Sequence, residues 1–195
     1  MLKRLIENIP VHVKLLFKLY VLNLVLFFLV RLLFYFVNKA TDVGMVGFTE
    51  KLLAFKTGLE FDTAVFCWIA YLPAVLWLIA HLFKQPKLYG IGFHLFLWLL
   101  VLYYFICVAD IPYFTQFGAH LSRNAFLWHE SPDFAVGVIF GNFSYWGYFL
   151  VFFPIAFFLV RFSKKMFHVF KQQEQEQQKP IWYFSLLTFT LLISL

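Results

Sequence analysis

Residues 15–37 read LLFKLYVLNLVLFFLVRLLFYFV, and this stretch decides the fold. A helix needs about 20 mostly apolar residues to cross about 30 Å of hydrocarbon. Leu15–Val37 meets that length, with Lys18 near its start and Arg31 well inside. Three more stretches of the same kind follow: Asp62–Leu82, Ile91–Asp110 and Phe143–Phe162. A fifth, Ile181–Leu195, has only 15 residues and stops without a polar flank. The chain therefore reads as an all-α membrane protein. It is expected to form a bundle of about five transmembrane helices, the fifth truncated, within one transmembrane domain over residues 1–195. The shortness of the last stretch predicts that the natural protein continues past Leu195.

Composition agrees. Hydrophobic residues make up 63% of the 195 positions and charged residues 13%, with a mean hydropathy of +0.79. A soluble domain averages about 45–50% apolar and about 25% charged, so a soluble globule is excluded. Twenty-nine Phe, 10 Tyr and 6 Trp bring the aromatic share to 23%. Phe suits lipid-facing and inter-helix surfaces, while Trp and Tyr favour the interface belts. Cys67 and Cys107 both fall inside apolar stretches and read as small buried hydrophobes. The first apolar run is too long for a cleavable signal peptide and no small-residue cleavage site follows it. It reads as an uncleaved anchor.

The net charge of +6 describes topology and is not a nucleic-acid footprint. Lys3, Arg4, Lys14 and Lys18 precede or open the first span. Lys84 and Lys87 separate the second from the third, and Arg161, Lys164, Lys165, Lys171 and Lys179 follow the fourth. The alternate loops hold Lys39, Lys51, Lys56 and Arg123. Eleven basic residues thus stand against four. By the positive-inside rule the N-terminus is cytoplasmic, and the residue after Leu195 emerges outside. The polar tract Lys171–Lys179 reads as a solvated linker or a helix extension.

The two outer loops are not featureless. Within Thr41–Leu59, Phe48, Leu52, Phe55 and Leu59 recur at helical spacing, with Thr41 or Asp42 placed to cap the start. Within Tyr113–Glu130, Phe114, Phe117, Leu121, Ala125 and Trp128 do the same. Both segments fit amphipathic helices on the outer leaflet, or a cap packed down on the bundle.

Charges at membrane depth cost about 2.5–3.5 kcal/mol at a helix centre and less near the ends. Arg31 lies sixteen residues into its span, about 24 Å along a helix rising about 1.5 Å per residue. Glu60 and Asp62 open the second span, Asp110 closes the third, and Arg123 sits in the following loop. Arg31, Glu60, Asp62, Asp110 and Arg123 therefore converge on the outer boundary. One reading is a polar pocket for anionic phospholipid headgroups, since the planar guanidinium fork matches phosphate. The other is structural: Arg31 snorkels to the headgroups, or pairs with Asp62 or Asp110 to fasten three helices together. His81 and His94 read as interfacial polar residues, Asn23 as an inter-helix hydrogen bonder, and Pro73 and Pro154 as sites of a kink. No Gly-rich phosphate loop, internal repeat or zinc-type spacing occurs.

Three short motifs carry a resemblance. They are Arg31-Leu-Leu-Phe34, then Thr57-Gly58-Leu59-Glu60-Phe61-Asp62, then Asp110-Ile-Pro-Tyr113-Phe114 with Arg123 beyond it. In this order, with an inside N-terminus, the chain resembles the membrane domain of the lipoteichoic acid synthase family. These are sulfatase-superfamily phosphoglycerol transferases. Glu60 stands where the family often has arginine. The resemblance implies five transmembrane helices followed by an exported catalytic domain C-terminal to Leu195. It implies there a threonine nucleophile and a divalent metal such as manganese. It implies transfer of a phosphoglycerol or phosphoethanolamine group, in the cytoplasmic (inner) membrane of a bacterium. No catalytic or metal-binding residue is assigned to this chain, which alone is expected to be inactive. The alternatives are a stand-alone membrane scaffold or assembly protein, and a small transporter. A transporter would need polar residues near the midplane or inverted repeats, and neither is evident.

Overall fold

The computed structural model describes residues 11–38, 47–121 and 143–176. Helix α1 spans Val11–Asn38, α2 Phe48–Leu82, α3 Lys87–Phe117 and α4 Phe143–Glu176. No strand occurs among the described residues. All four helices are long and apolar enough to cross a membrane, which makes the chain a membrane protein. They run alternately up and down. Asn38, Phe48 and Phe117 lie toward one end of the bundle. Leu15, Leu82 and Lys87 lie toward the other.

The four longer stretches read from the sequence each lie within one of these helices. The fifth, Ile181–Leu195, falls outside the described residues, as do Thr41, Asp42 and residues 122–130. The amphipathic segments turn out differently where they can be followed. Residues 48–59 are not a separate helix but the opening turns of α2, which runs unbroken for 35 residues. Tyr113–Phe117 likewise continues α3. Gly58 is accommodated inside α2 without ending it, so no break separates residues 48–59 from the span. The polar tract after Lys171 begins as a helix extension, to Glu176.

Packing follows the helical period. In α1, Leu15, Leu19, Asn23, Phe27 and Val30 are buried at steps of three or four, while Phe17, Val21, Val25 and Phe28 face outward. In α2 the buried line is Phe66, Ala70, Ala74, Trp77 and Ala80. Its alanines let backbones approach closely, which matters where lipid supplies no hydrophobic drive between helices. α1 and α3 each pack against all three other helices, and α4 lies against both of them. The outward apolar surface is extensive, with Trp68 69% and Trp98 73% exposed. In water such a belt would be a liability, whereas in a bilayer it is the lipid-facing surface.

Two polar or aromatic layers fix the register. In the middle, the Tyr104 hydroxyl donates to Asn23, at 3.1 Å from Oδ1 and 3.2 Å from its carbonyl. Asn23 Nδ2 in turn donates to the Leu19 carbonyl at 2.7 Å. Asn23 thus makes the inter-helix bond its position suggested. At the Leu82 end, Phe93 stacks on Phe167 at 4.0 Å and Trp77 on Phe170 at 5.8 Å. Trp77 Nε1 donates to the Tyr89 carbonyl at 3.0 Å. Gly92 makes room for that indole, since a Cβ there would lie 2.8 Å from Nε1.

The connection between α2 and α3 is short. Lys84 takes the left-handed conformation at φ 51°, and Gln85 N donates back to the Ala80 carbonyl at 2.8 Å. This is the helix stop that glycine usually supplies. α3 ends at Gly118, with φ 65° and its N–H bonded to the Phe114 carbonyl at 2.8 Å.

Candidate functional site

Arg31 reaches from α1 to α2, where Nη2 donates to Asp62 Oδ2 at 2.7 Å. The Asp62 side chain is 7% exposed and that of Arg31 30%. The approach depends on Gly58, one turn before Asp62. A Cβ at Gly58 would stand 1.9 Å from Nη1 and 2.1 Å from Cζ of Arg31. The guanidinium therefore lies against the bare α2 backbone. Arg31 Nε is buried there, without a hydrogen-bond partner among the described residues.

Asp110, on α3, is held differently. The turn at Gly118 folds the chain back over the helix end, so that the Leu121 N–H donates to Asp110 Oδ1. His120 Nδ1 lies 2.7 Å from Oδ2 of the same carboxylate. The imidazole also stacks on Phe34 at 5.3 Å and tilts against Phe114 at 4.9 Å. Beside it, the Thr115 hydroxyl is shared between Asn38 Oδ1 at 2.9 Å and the Ile111 carbonyl at 3.0 Å. α1 and α3 are thereby joined at this end.

These groups surround a cavity of about 680 Å³ among the Asn38-side ends of α1, α2 and α3. Its size falls in the range of small-molecule sites, about 300–1,000 Å³. Arg31, Asp62 and Asp110 line it together with Glu50, Lys51 and His120. Phe34, Tyr35 and Phe55 add aromatic wall. Glu50 accepts from the Gly47 N–H at 3.0 Å, closing the start of α2. The Lys51 ammonium lies 3.5 Å from the Tyr35 hydroxyl and 5.7 Å from that ring's centroid. Cationic, anionic and aromatic groups thus share one open chamber at a helix-end layer.

Of the five residues read from the sequence, Arg31, Asp62 and Asp110 line this cavity. Glu60 does not: it is exposed and pairs with Lys56 at 3.5 Å along α2. Arg123 lies outside the described residues. Arg31 chooses Asp62 rather than Asp110, so the pair ties two helices and not three. Glu50, Lys51 and His120 were not among the five site residues read from the sequence. Gly118 was the usable signal for His120, because a left-handed helix stop returns the next residues over the helix they leave. Glu50 and Lys51 sat in what read as a separate amphipathic segment.

Elsewhere, His94 Nδ1 lies 2.7 Å from the Gly90 carbonyl, a local contact within α3. Among the described residues no group of three His, Cys, Asp or Glu could hold a metal ion. The divalent metal that the resemblance implies therefore has no ligand set in them. No protein-family model, curated protein or solved structure matches the chain.

Proposed function

We propose that this chain is the membrane-anchor domain of a lipoteichoic acid synthase-like phosphoglycerol or phosphoethanolamine transferase. Its task is to hold an exported catalytic domain over lipid headgroups at the outer leaflet. One observation carries the reading. Arg31, Asp62 and Asp110, one from each motif of the resemblance, line the same cavity. Segments 31 and 48 residues apart in the chain have no need to share a chamber if they are only membrane filler.

The chemistry supports a headgroup contact. A guanidinium has five N–H donors in a fixed fork, and Asp62 receives Nη2 alone. Donors remain for a phosphate oxygen on the cavity side. The aromatic walls suit the glycerol backbone and first methylenes of a lipid. Confining both enzyme and lipid to one surface replaces a three-dimensional search by a local one, and proximity supplies much of the rate gain. With the N-terminus cytoplasmic, the cavity faces the outer leaflet of a bacterial inner membrane. The nucleophile and the metal belong to the exported domain.

The test is the mass of the native protein in membranes of its source, by blot against an N-terminal epitope. A band far above 23.2 kDa is expected. A band at that mass overturns the anchor reading and leaves a stand-alone membrane scaffold.

A further inference from the structure

Contacts to α3 set the depth of every other helix along the bundle. Phe93 stacks on Phe167 at 4.0 Å and Phe105 meets Phe152 at 5.5 Å, which aligns α4. Tyr104 bonds Asn23 at 3.1 Å and aligns α1, while Phe96 meets Phe66 at 5.8 Å and aligns α2. Counted from these contacts, Lys18 and Arg161 both come level with Leu99, and Lys164 and Lys165 lie one turn nearer the Leu82 end. All four are exposed, and none has an ion-pair partner among the described residues. At the same depth α2 turns Trp68 outward, and α3 turns Ile91 and Trp98 outward. Nearer the Asn38 end the sides exchange character. Lys56 and Glu60 are exposed on α2, whereas Leu150 and Phe153 of α4 are exposed beside them in depth. The opening turns of α2 also expose Phe48, Leu52 and Leu53, a mixture that suits a headgroup layer.

An upright bundle cannot satisfy both sides. Glu60 comes level with Leu102 and Arg161 with Leu99, so the height free of exposed charge all round is about 5 Å at about 1.5 Å per residue. The hydrocarbon is about 30 Å thick. Taken one at a time, the helices fit: Glu60 to Lys84 on α2 is about 36 Å, and Phe143 to Arg161 on α4 is about 27 Å. Their apolar lengths are displaced along the axis, low on α2 and high on α4. Local thinning would move the two boundaries of one side toward each other. Here both boundaries of a side move in one direction, which is what a tilt does.

We propose that the bundle sits obliquely in the bilayer, tilted by about 20–40°, within the range of membrane helices. At the Leu82 end the α1/α4 side meets lipid phosphates through Lys18, Arg161, Lys164 and Lys165. At the other end the opening turns of α2 stand in the headgroup layer while Leu150 and Phe153 stay in hydrocarbon. The tilt lifts the Glu50 and Lys51 wall of the cavity clear of hydrocarbon on the α2 side.

The experiment is spin labelling of the full chain, in a Cys67→Ala/Cys107→Ala background, in vesicles of phosphatidylethanolamine and phosphatidylglycerol with oleoyl chains. Collision with oxygen and with a nickel chelate reports the depth of each label. Two pairs of exposed positions share a bundle depth to within a turn: Trp98→Cys with Phe162→Cys, and Leu53→Cys with Leu150→Cys. Phe162→Cys should lie about 10 Å nearer the Leu82-side headgroups than Trp98→Cys, and Leu53→Cys about 10 Å nearer the opposite headgroups than Leu150→Cys. Arg161→Gln/Lys164→Gln/Lys165→Gln should bring the first pair closer in depth. If that variant does not insert, polarised infrared absorption of the unsubstituted chain in oriented bilayers decides, and a mean helix tilt below about 20° overturns the proposal. Equal depths within both pairs overturn it. So does a difference at one end only, which would mean that one leaflet bends around an upright bundle. Spin–spin broadening at Phe162→Cys that vanishes on dilution with unlabelled chain would place a second copy over the cations and overturn it as well.

Discussion

Gly58→Ala is the sharpest probe of the Arg31 site, because its sign should depend on a residue in another helix. Replacing glycine by alanine within a helix ordinarily gains about 1 kcal/mol. Here the new Cβ would stand 1.9 Å from Nη1 and 2.7 Å from Nε of Arg31. Those atoms end a flexible side chain, so the guanidinium moves and the backbone stays. The move breaks the 2.7 Å bond and leaves Asp62, 7% exposed, without its cation. Breaking a fully buried pair costs about 3–5 kcal/mol. Arg31 is 30% exposed and can turn into the cavity, so a loss of about 2 kcal/mol is the better figure. The net effect in the wild type is a destabilisation of about 1 kcal/mol. In an Arg31→Ala background the clash is gone, and the same substitution should stabilise by about 1 kcal/mol. The assay is equilibrium unfolding in mixed micelles at rising sodium dodecyl sulfate. Four proteins complete the cycle. The same sign in both backgrounds would refute the account of how Arg31 is seated.

Other predictions concern the rest of the bundle. Gly92→Ala should destabilise by about 1–3 kcal/mol in the same assay, because its Cβ overpacks the Trp77 indole at 2.8 Å. Tyr104→Phe should cost about 0.6–1.7 kcal/mol, the range of an inter-helix hydrogen bond in a membrane, and no loss would remove Asn23 from the list of helix fasteners. Lys84→Gly should raise stability by about 1 kcal/mol, since a non-glycine residue at φ 51° carries left-handed strain. In a cysteine-free chain, Gln85→Cys should react only with a thiol reagent supplied from the cytoplasm and Ala119→Cys only from outside. Reversed labelling would overturn the orientation drawn from the basic residues.

The fold was legible to different depths in different places. The apolar runs place α1 through α4 because length and hydropathy alone decide whether a helix can span. Their ends were harder. Phe48–Leu59 has a face of apolar residues, and periodicity gives the same signal whether such a segment lies on a surface or continues a span. Asp62 looked like a boundary because charge is costly in hydrocarbon, yet Arg31 neutralises it inside an unbroken helix. The partner choice was beyond the sequence as well. Asp62 and Asp110 were equivalent candidates for Arg31 until Gly58 and the turn at Gly118 separated them. Glu60 shared its neighbours' position in the chain but not their helix face, and a shift of two residues turns a side chain by more than half a circle.

The ion pair also bears on how the protein is made. α1 leaves the ribosome before α2, and its cation reaches the membrane 31 residues ahead of the carboxylate that neutralises it. Until Asp62 arrives, α1 carries a charge that hydrocarbon resists and must keep Arg31 near headgroups or water. Once α2 enters, the two charges cancel and neither helix can easily withdraw alone. The first two helices are thus built to settle as a hairpin, and the bond that shapes the cavity is also the latch that completes their insertion.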